Sequence, residues 1–96
     1  MASRGEAQTR SVPLGRLMIT PGALAALAEA DVVRALGWHA RGEWGDLCPE
    51  DWRANDQALK LGSRLLSSYR SFSGVKFWII TECDRSATTV LLPEEY

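Results

Sequence analysis

Three stretches of strand-like composition follow one another over the last third of the chain. They are Arg64-Leu-Leu-Ser-Ser-Tyr-Arg70, Val75-Lys-Phe-Trp-Ile-Ile-Thr-Glu82 and Ala87-Thr-Thr-Val-Leu-Leu-Pro93. Each is rich in aliphatic, aromatic or β-branched residues and is bounded by turn formers, Ser71-Phe-Ser-Gly74 and Cys83-Asp-Arg-Ser86. This pattern predicts a three-stranded antiparallel meander. In the middle stretch, period-two alternation puts Phe77 and Ile79 on one face and Trp78 and Ile80 on the other. A strand apolar on both faces is an interior strand, covered by helices on one side and by further chain or a partner on the other.

The preceding residues change period. Leu14-Gly-Arg-Leu-Met-Ile-Thr20 is apolar and β-prone, a short first strand. Thr20-Pro21-Gly22 then reads as a helix start, with Thr as cap and Pro at the first helical position, opening a helix over Ala23–Ala30. Asp31 is placed to cap a second helix from Val32 to about His39, which Gly37 weakens or ends early. Arg41–Leu47 is a loop whose two glycines permit turns that fold Trp44 back onto the core. Cys48-Pro-Glu-Asp51 opens a third helix with acids in its first turn, where the helix dipole favours them, and Gly62 ends it. Its inward face reads Trp52, Asn55 and Leu59. A buried Asn55 needs hydrogen bonds, and the Gly42–Leu47 loop is the expected partner.

The expectation is therefore an α+β fold: a short N-terminal strand, two or three helices, then the three-stranded antiparallel β-meander packed against the helices. Residues 1–12 carry almost no apolar side chain and read as a flexible tail, leaving residues 13–96 as one domain. Four Trp in 96 residues is a high count, and Trp52 and Trp78 are the expected core members.

Charge and composition narrow the functional classes. The net charge is −1, which disfavours nucleic acid as a partner. The distribution is uneven. From Arg41 to Asp56, Glu43, Asp46, Glu50, Asp51 and Asp56 stand against Arg41 and Arg53, whereas from Gln57 to Pro93, Lys60, Arg64, Arg70, Lys76 and Arg85 stand against Glu82 and Asp84. An acidic helical region facing a basic sheet reads first as internal charge complementarity. The first dozen residues lack the apolar core of a signal peptide, and no apolar run has transmembrane length. The expectation is a cytoplasmic protein, away from membranes, with Cys48 and Cys83 as free thiols.

From Leu14 to Tyr96 the chain resembles a family of small bacterial proteins of plasmids and integrated mobile elements, usually labelled plasmid-related protein. The residues that carry the resemblance include Leu14-Gly-Arg-Leu17, Thr20-Pro-Gly-Ala-Leu24, His39-Ala-Arg-Gly-Glu-Trp-Gly-Asp-Leu47, Arg64-Leu-Leu-Ser-Ser-Tyr69 and, most specifically, Trp78-Ile-Ile-Thr-Glu-Cys-Asp-Arg-Ser-Ala-Thr-Thr-Val-Leu-Leu-Pro-Glu-Glu-Tyr96. The resemblance implies a mobile-element setting and an α+β fold, and brings no catalytic residue. The family tends to have a small residue such as Ala where this chain has Cys83, which argues against a nucleophile or ligand there.

Little in the sequence has the spacing of reactive machinery. One His and two Cys lie in three separate segments, without the paired short spacings of a zinc site, so neither a metal nor another cofactor is expected. His39 reads as a helix C-terminal residue that interacts with the last carbonyls. No base neighbours Ser67 or Ser68 in sequence, and no glycine-rich phosphate loop is present. The sharpest polar cluster is Asp84-Arg85-Ser86 with Thr88, readable as turn chemistry or as a contact for a partner or ligand. The further contact candidates are Arg64, Arg70, Lys76 and Trp44. The leading expectation is a non-catalytic protein-interaction or regulatory module, monomeric or homodimeric, with a protein partner. The alternative is a nucleic-acid-directed protein using a basic sheet face, since the element order is loosely like that of RelE-type mRNA interferases.

Overall fold

The computed structural model describes residues 11–96. It is an α+β fold in which a mixed four-stranded sheet carries three helices. The chain runs β1 (Arg16–Ile19), α1 (Pro21–Ala26), α2 (Glu29–Ala40), α3 (Pro49–Leu61), β2 (Leu65–Arg70), β3 (Lys76–Thr81), β4 (Ala87–Leu91) and a 3₁₀ turn at Pro93–Glu95. The sheet order is β1-β4-β3-β2. The last three strands form the expected antiparallel meander, with Ser68 opposite Trp78 and Ile79 opposite Val90. The first strand adds to it in parallel, with Leu17 beside Thr88 and Ile19 beside Val90. That parallel edge is the main topological departure from the sequence reading. The three helices and the β2–β3 hairpin lie between β1 and β4 and carry the chain across, as a parallel pairing requires.

Local chemistry explains most boundaries. The Thr20 hydroxyl accepts from Ala23 N–H and caps α1, which ends after only six residues. The second helix begins at Glu29, earlier than Asp31, and passes through Gly37 without breaking. Asp31 lies inside its first turn instead. Its carboxylate accepts from Arg34 and from the Phe72 backbone N–H, tying the helix start to the β2–β3 turn. Gly62 ends α3 in the left-handed region at φ 74°, as its sequence position foretold.

Two apolar clusters share the helix-facing side of the sheet. One joins Ala23, Ala35, Tyr69, Phe77, Ile79 and Val90, with Trp38 packed against it. The other joins Val12, Trp44 and Leu65, with Trp52 and Leu59 against it. The tail reading fails at its end: Val12 is buried, and its N–H donates to the Ala40 carbonyl at 2.7 Å. The rest of that expectation, residues 1–10, lies outside the described residues. The tryptophans are also redistributed. Trp44 is the fully buried one, while Trp38, Trp52 and Trp78 are half-buried. Glycines on both sides let the loop turn sharply enough to sink the Trp44 indole, whose Nε1–H reaches Asp56 Oδ1 at 2.9 Å.

Candidate functional site

The most unusual chemistry is in the interior. His39, far from bonding only terminal carbonyls at the surface, is fully buried. Its Nδ1 lies 2.6 Å from Ser67 Oγ on β2, and its Nε2 lies 2.8 Å from Thr81 Oγ1 on β3. Thr81 Oγ1 is 2.7 Å from Thr88 Oγ1 on β4, and Thr88 donates to the Leu14 carbonyl at 2.7 Å, just before β1. A polar relay therefore crosses the sheet from one edge to the other.

The direction of every proton in that relay follows from its far end. The Leu14 carbonyl can only accept, so Thr88 donates to it. Thr88 is then the acceptor for Thr81, whose single proton is thereby used. The imidazole must donate through Nε2–H to Thr81. Burial, and secondarily the charge of Arg85, lowers the His39 pKa to about 4, so the ring is neutral near pH 7. A neutral ring has one N–H, so Nδ1 accepts from the Ser67 hydroxyl. The Trp44 ring stands edge-on to the imidazole at 5.6 Å between centroids and helps to seal it.

Ser67 hydrogen-bonded to His39 has the contact geometry of a nucleophile and its base. Both residues are completely buried, however, and the proton flow runs onward into a backbone carbonyl. As described, the pair is a structural clamp between strands. Sequence spacing gave no sign of it, because 28 residues separate the partners.

The polar loop is structural as well. Arg85 adopts φ 62° and turns its guanidinium back to the Ser63 carbonyl at 2.7 Å and the Glu82 carbonyl at 3.0 Å, near the end of α3. Asp84 Oδ1 accepts from Ser86 N–H, and these Ser86 bonds hold the exposed Asp84 carboxyl below its ordinary pKa. Two contact candidates need correction. Trp44 and Thr88 have no exposed surface, the first consumed by the loop and the second by the relay. Neither presents itself to a partner.

Of the basic candidates, Arg70 and Lys76 face each other in the β2–β3 register, on the side of the sheet away from the helices. Arg64 lies on the same side near the other end of β2, bonded through Nη1 to the Tyr96 hydroxyl and 5.3 Å above that ring. Six residue steps along the extended chain take Arg64 to Arg70, about 20 Å. Arg85 does not join them, because its guanidinium serves the helix end. Glu82 and Glu95 border the Arg64–Tyr96 region, and Asp46 approaches Arg70 at 3.6 Å. The four cations expected together are thus dispersed and interleaved with carboxylates.

The surface feature that sequence reasoning missed is an open cleft of about 380 Å³ lined by Trp38, Glu43, Gly45, Trp52 and Tyr69. Trp38 and Tyr69 pack at 5.6 Å, and the Tyr69 hydroxyl donates to the Glu43 carbonyl at 2.6 Å. Burial pushes the Tyr69 hydroxyl pKa up, so it stays protonated and keeps this bond. Among the described residues no group of three His, Cys, Asp or Glu side chains could hold a metal ion, both cysteines are free and exposed, and no helix is long and apolar enough to cross a membrane. Comparison with protein-family models, with curated proteins and with solved structures finds no match to this chain.

Proposed function

We propose that this chain is a non-catalytic protein-interaction or regulatory module, working in the mobile-element setting that its sequence resemblance implies. The observation that carries the reading is the open cleft in which half-buried Trp38 and Trp52 flank the buried Tyr69 ring. Buried or half-buried aromatics at an open, mostly apolar depression are the usual anchors of protein interfaces. The His39–Ser67 pair, which would otherwise favour chemistry, is sealed beneath Trp44 and committed to holding strands together.

The partner docks an apolar side chain into the cleft and meets the acidic Arg41–Asp56 segment around it. The test is affinity capture from bacterial lysate with the wild type, Trp52→Glu and Glu43→Lys side by side. Glu43 is exposed and reverses the rim charge without opening the core. A specific protein retained by the wild type and lost from both folded variants is the expected result. No specific protein, or equal retention by all three, overturns the reading.

A further inference from the structure

We infer that β1 is a self-association edge, and that two copies of this chain pair their β1 strands antiparallel about a two-fold axis to make one continuous eight-stranded sheet. The inference is independent of the aromatic cleft. It starts from which backbone groups β1 leaves free. The N–H of Arg16 donates to the Ser86 carbonyl and the N–H of Thr20 to the Val90 carbonyl. In an extended strand the hydrogen-bonding direction alternates, so Arg16, Met18 and Thr20 turn toward β4, while Leu17 and Ile19 turn their N–H and C=O outward. No strand lies beyond β1 in the sheet of the described residues.

The side chains are as unusual as the backbone. All four β1 residues are exposed, including Leu17 at 55%, Met18 at 48% and Ile19 at 37%. Native proteins usually blunt an edge with charge, proline or a bulge. Only Arg16 does so here, at one end. On the helix side, Ile19 continues into a mainly apolar groove of about 390 Å³ with Leu24, Leu27 and Val32, with the Glu29 carboxylate at its rim, and Leu24 is itself 67% exposed.

A second copy fits this edge in one register. With Met18 opposite the partner's Met18, Leu17 falls opposite the partner's Ile19, and Ile19 opposite the partner's Leu17. These are the residues with outward backbone groups, so both pairs become hydrogen-bonded pairs and Met18 meets its mate in the closer, non-hydrogen-bonded position. Each copy's Leu17 then lies against the other's Ile19–Leu24 groove. The same register sets Arg16 opposite the partner's Thr20, on the sheet side away from the helices. In each copy the Thr20 hydroxyl donates to the Glu95 carboxylate. That bond and two backbone N–H donors hold the Glu95 carboxyl below its ordinary pKa and keep it charged. Two symmetric Arg16–Glu95 attractions complete the contact.

The strands are short, so the interface falls below the ~1,200 Å² of stable assemblies and the dimer is a concentration-dependent one. Sedimentation equilibrium on the full chain across ~1 μM to ~1 mM tests it. The wild type moves from monomer to dimer mass. Leu17→Lys, which places charge at the pairing position, and Leu17→Pro, which removes the outward N–H without breaking a bond to β4, each raise the dissociation constant at least ~10-fold. Arg16→Glu weakens the dimer in the same direction at low salt. Circular dichroism confirms which variants are folded. A wild type that stays monomeric throughout, or folded Leu17→Lys and Leu17→Pro proteins that dimerise as the wild type does, overturns the inference.

Discussion

The two edges of the sheet are treated in opposite ways. At the β2 edge almost every outward group is occupied. Asn55 on α3 reaches across and mimics a strand residue, donating through Nδ2 to the Leu66 carbonyl and accepting from Leu66 N–H through Oδ1. The Gly42–Leu47 loop continues the cover, with Ser68 N–H donating to Trp44 O and Asp46 N–H to Ser68 O. At the β1 edge there is no such lid among the described residues, and the side chains there are apolar and exposed. One edge is closed by the chain's own side chain and loop, and the other keeps its pairing capacity. A sheet that needed only to avoid sticking would have protected both.

The largest expected effect comes from prising the closed edge open. Gly45 sits at φ +82° against β2, and a Cβ there would run into the Ser68 carbonyl and the Tyr69 ring. Gly45→Ala combines left-handed strain with a backbone collision, and should cost at least about 3 kcal/mol of unfolding free energy. Urea denaturation measures it. A loss under about 1 kcal/mol would mean that the loop lifts away from β2 cheaply.

Close behind is a pH effect on the relay that joins the two edges. The folded His39 pKa, about 4, lies below the 6.5 of an unfolded histidine. The unfolded chain therefore binds more protons between these values. The stability from keeping the ring neutral is fully present above pH 6.5 and is lost as pH falls toward 4. Integrated over that window the loss is about 3 kcal/mol. Protonating Nδ1 also puts an N–H against the Ser67 hydroxyl, which must reverse. Comparing urea midpoints at pH 7.5 and 4.5 for the wild type and a folded His39→Gln checks it, because the variant's midpoint should move less.

Asn55→Ala is third. It removes two hydrogen bonds and leaves the Leu66 N–H and C=O under a helix that keeps water partly away, for a cost of about 2 kcal/mol. Asn55→Asp separates the two bonds, since aspartate can accept from Leu66 N–H but repels its carbonyl. Asn55→Asp no less stable than the wild type near pH 7 would contradict the strand-mimic role.

These edges also show what the sequence disclosed. The meander was legible because its apolar runs and turn residues are local, and the Pro49 start and Gly62 end of α3 follow from single-residue conformational preferences. The need for Asn55 to be hydrogen-bonded was legible from its place on an apolar helix face, but its partner was β2 instead of the loop. The parallel docking of β1 was not legible, because nothing local distinguishes an edge strand that pairs with β4 from one that pairs with β2. The relay was equally hidden. Ser67, Thr81 and Thr88 look like ordinary strand residues until the register of three strands brings them to one imidazole. The cleft depends on α2, the loop and α3 converging, so Trp38 and Trp52 had no reason in sequence to be grouped with Tyr69.

The smallest effect discriminates best between the edges. Leu17 is 55% exposed and its backbone groups face away from β4. Replacing it with lysine removes little buried apolar area and breaks no bond of the sheet, so the monomer's unfolding free energy should change by no more than about 0.5 kcal/mol. Measured at a concentration where the wild type is monomeric, the urea midpoints of wild type and Leu17→Lys should nearly coincide, while at high protein concentration only the wild-type midpoint rises, because dimer binding stabilises the folded state by mass action. A midpoint that falls for Leu17→Lys even in dilute solution would show that β1 contributes its side chains to the monomer's own core. The contrast between a structural edge and an available one would then collapse.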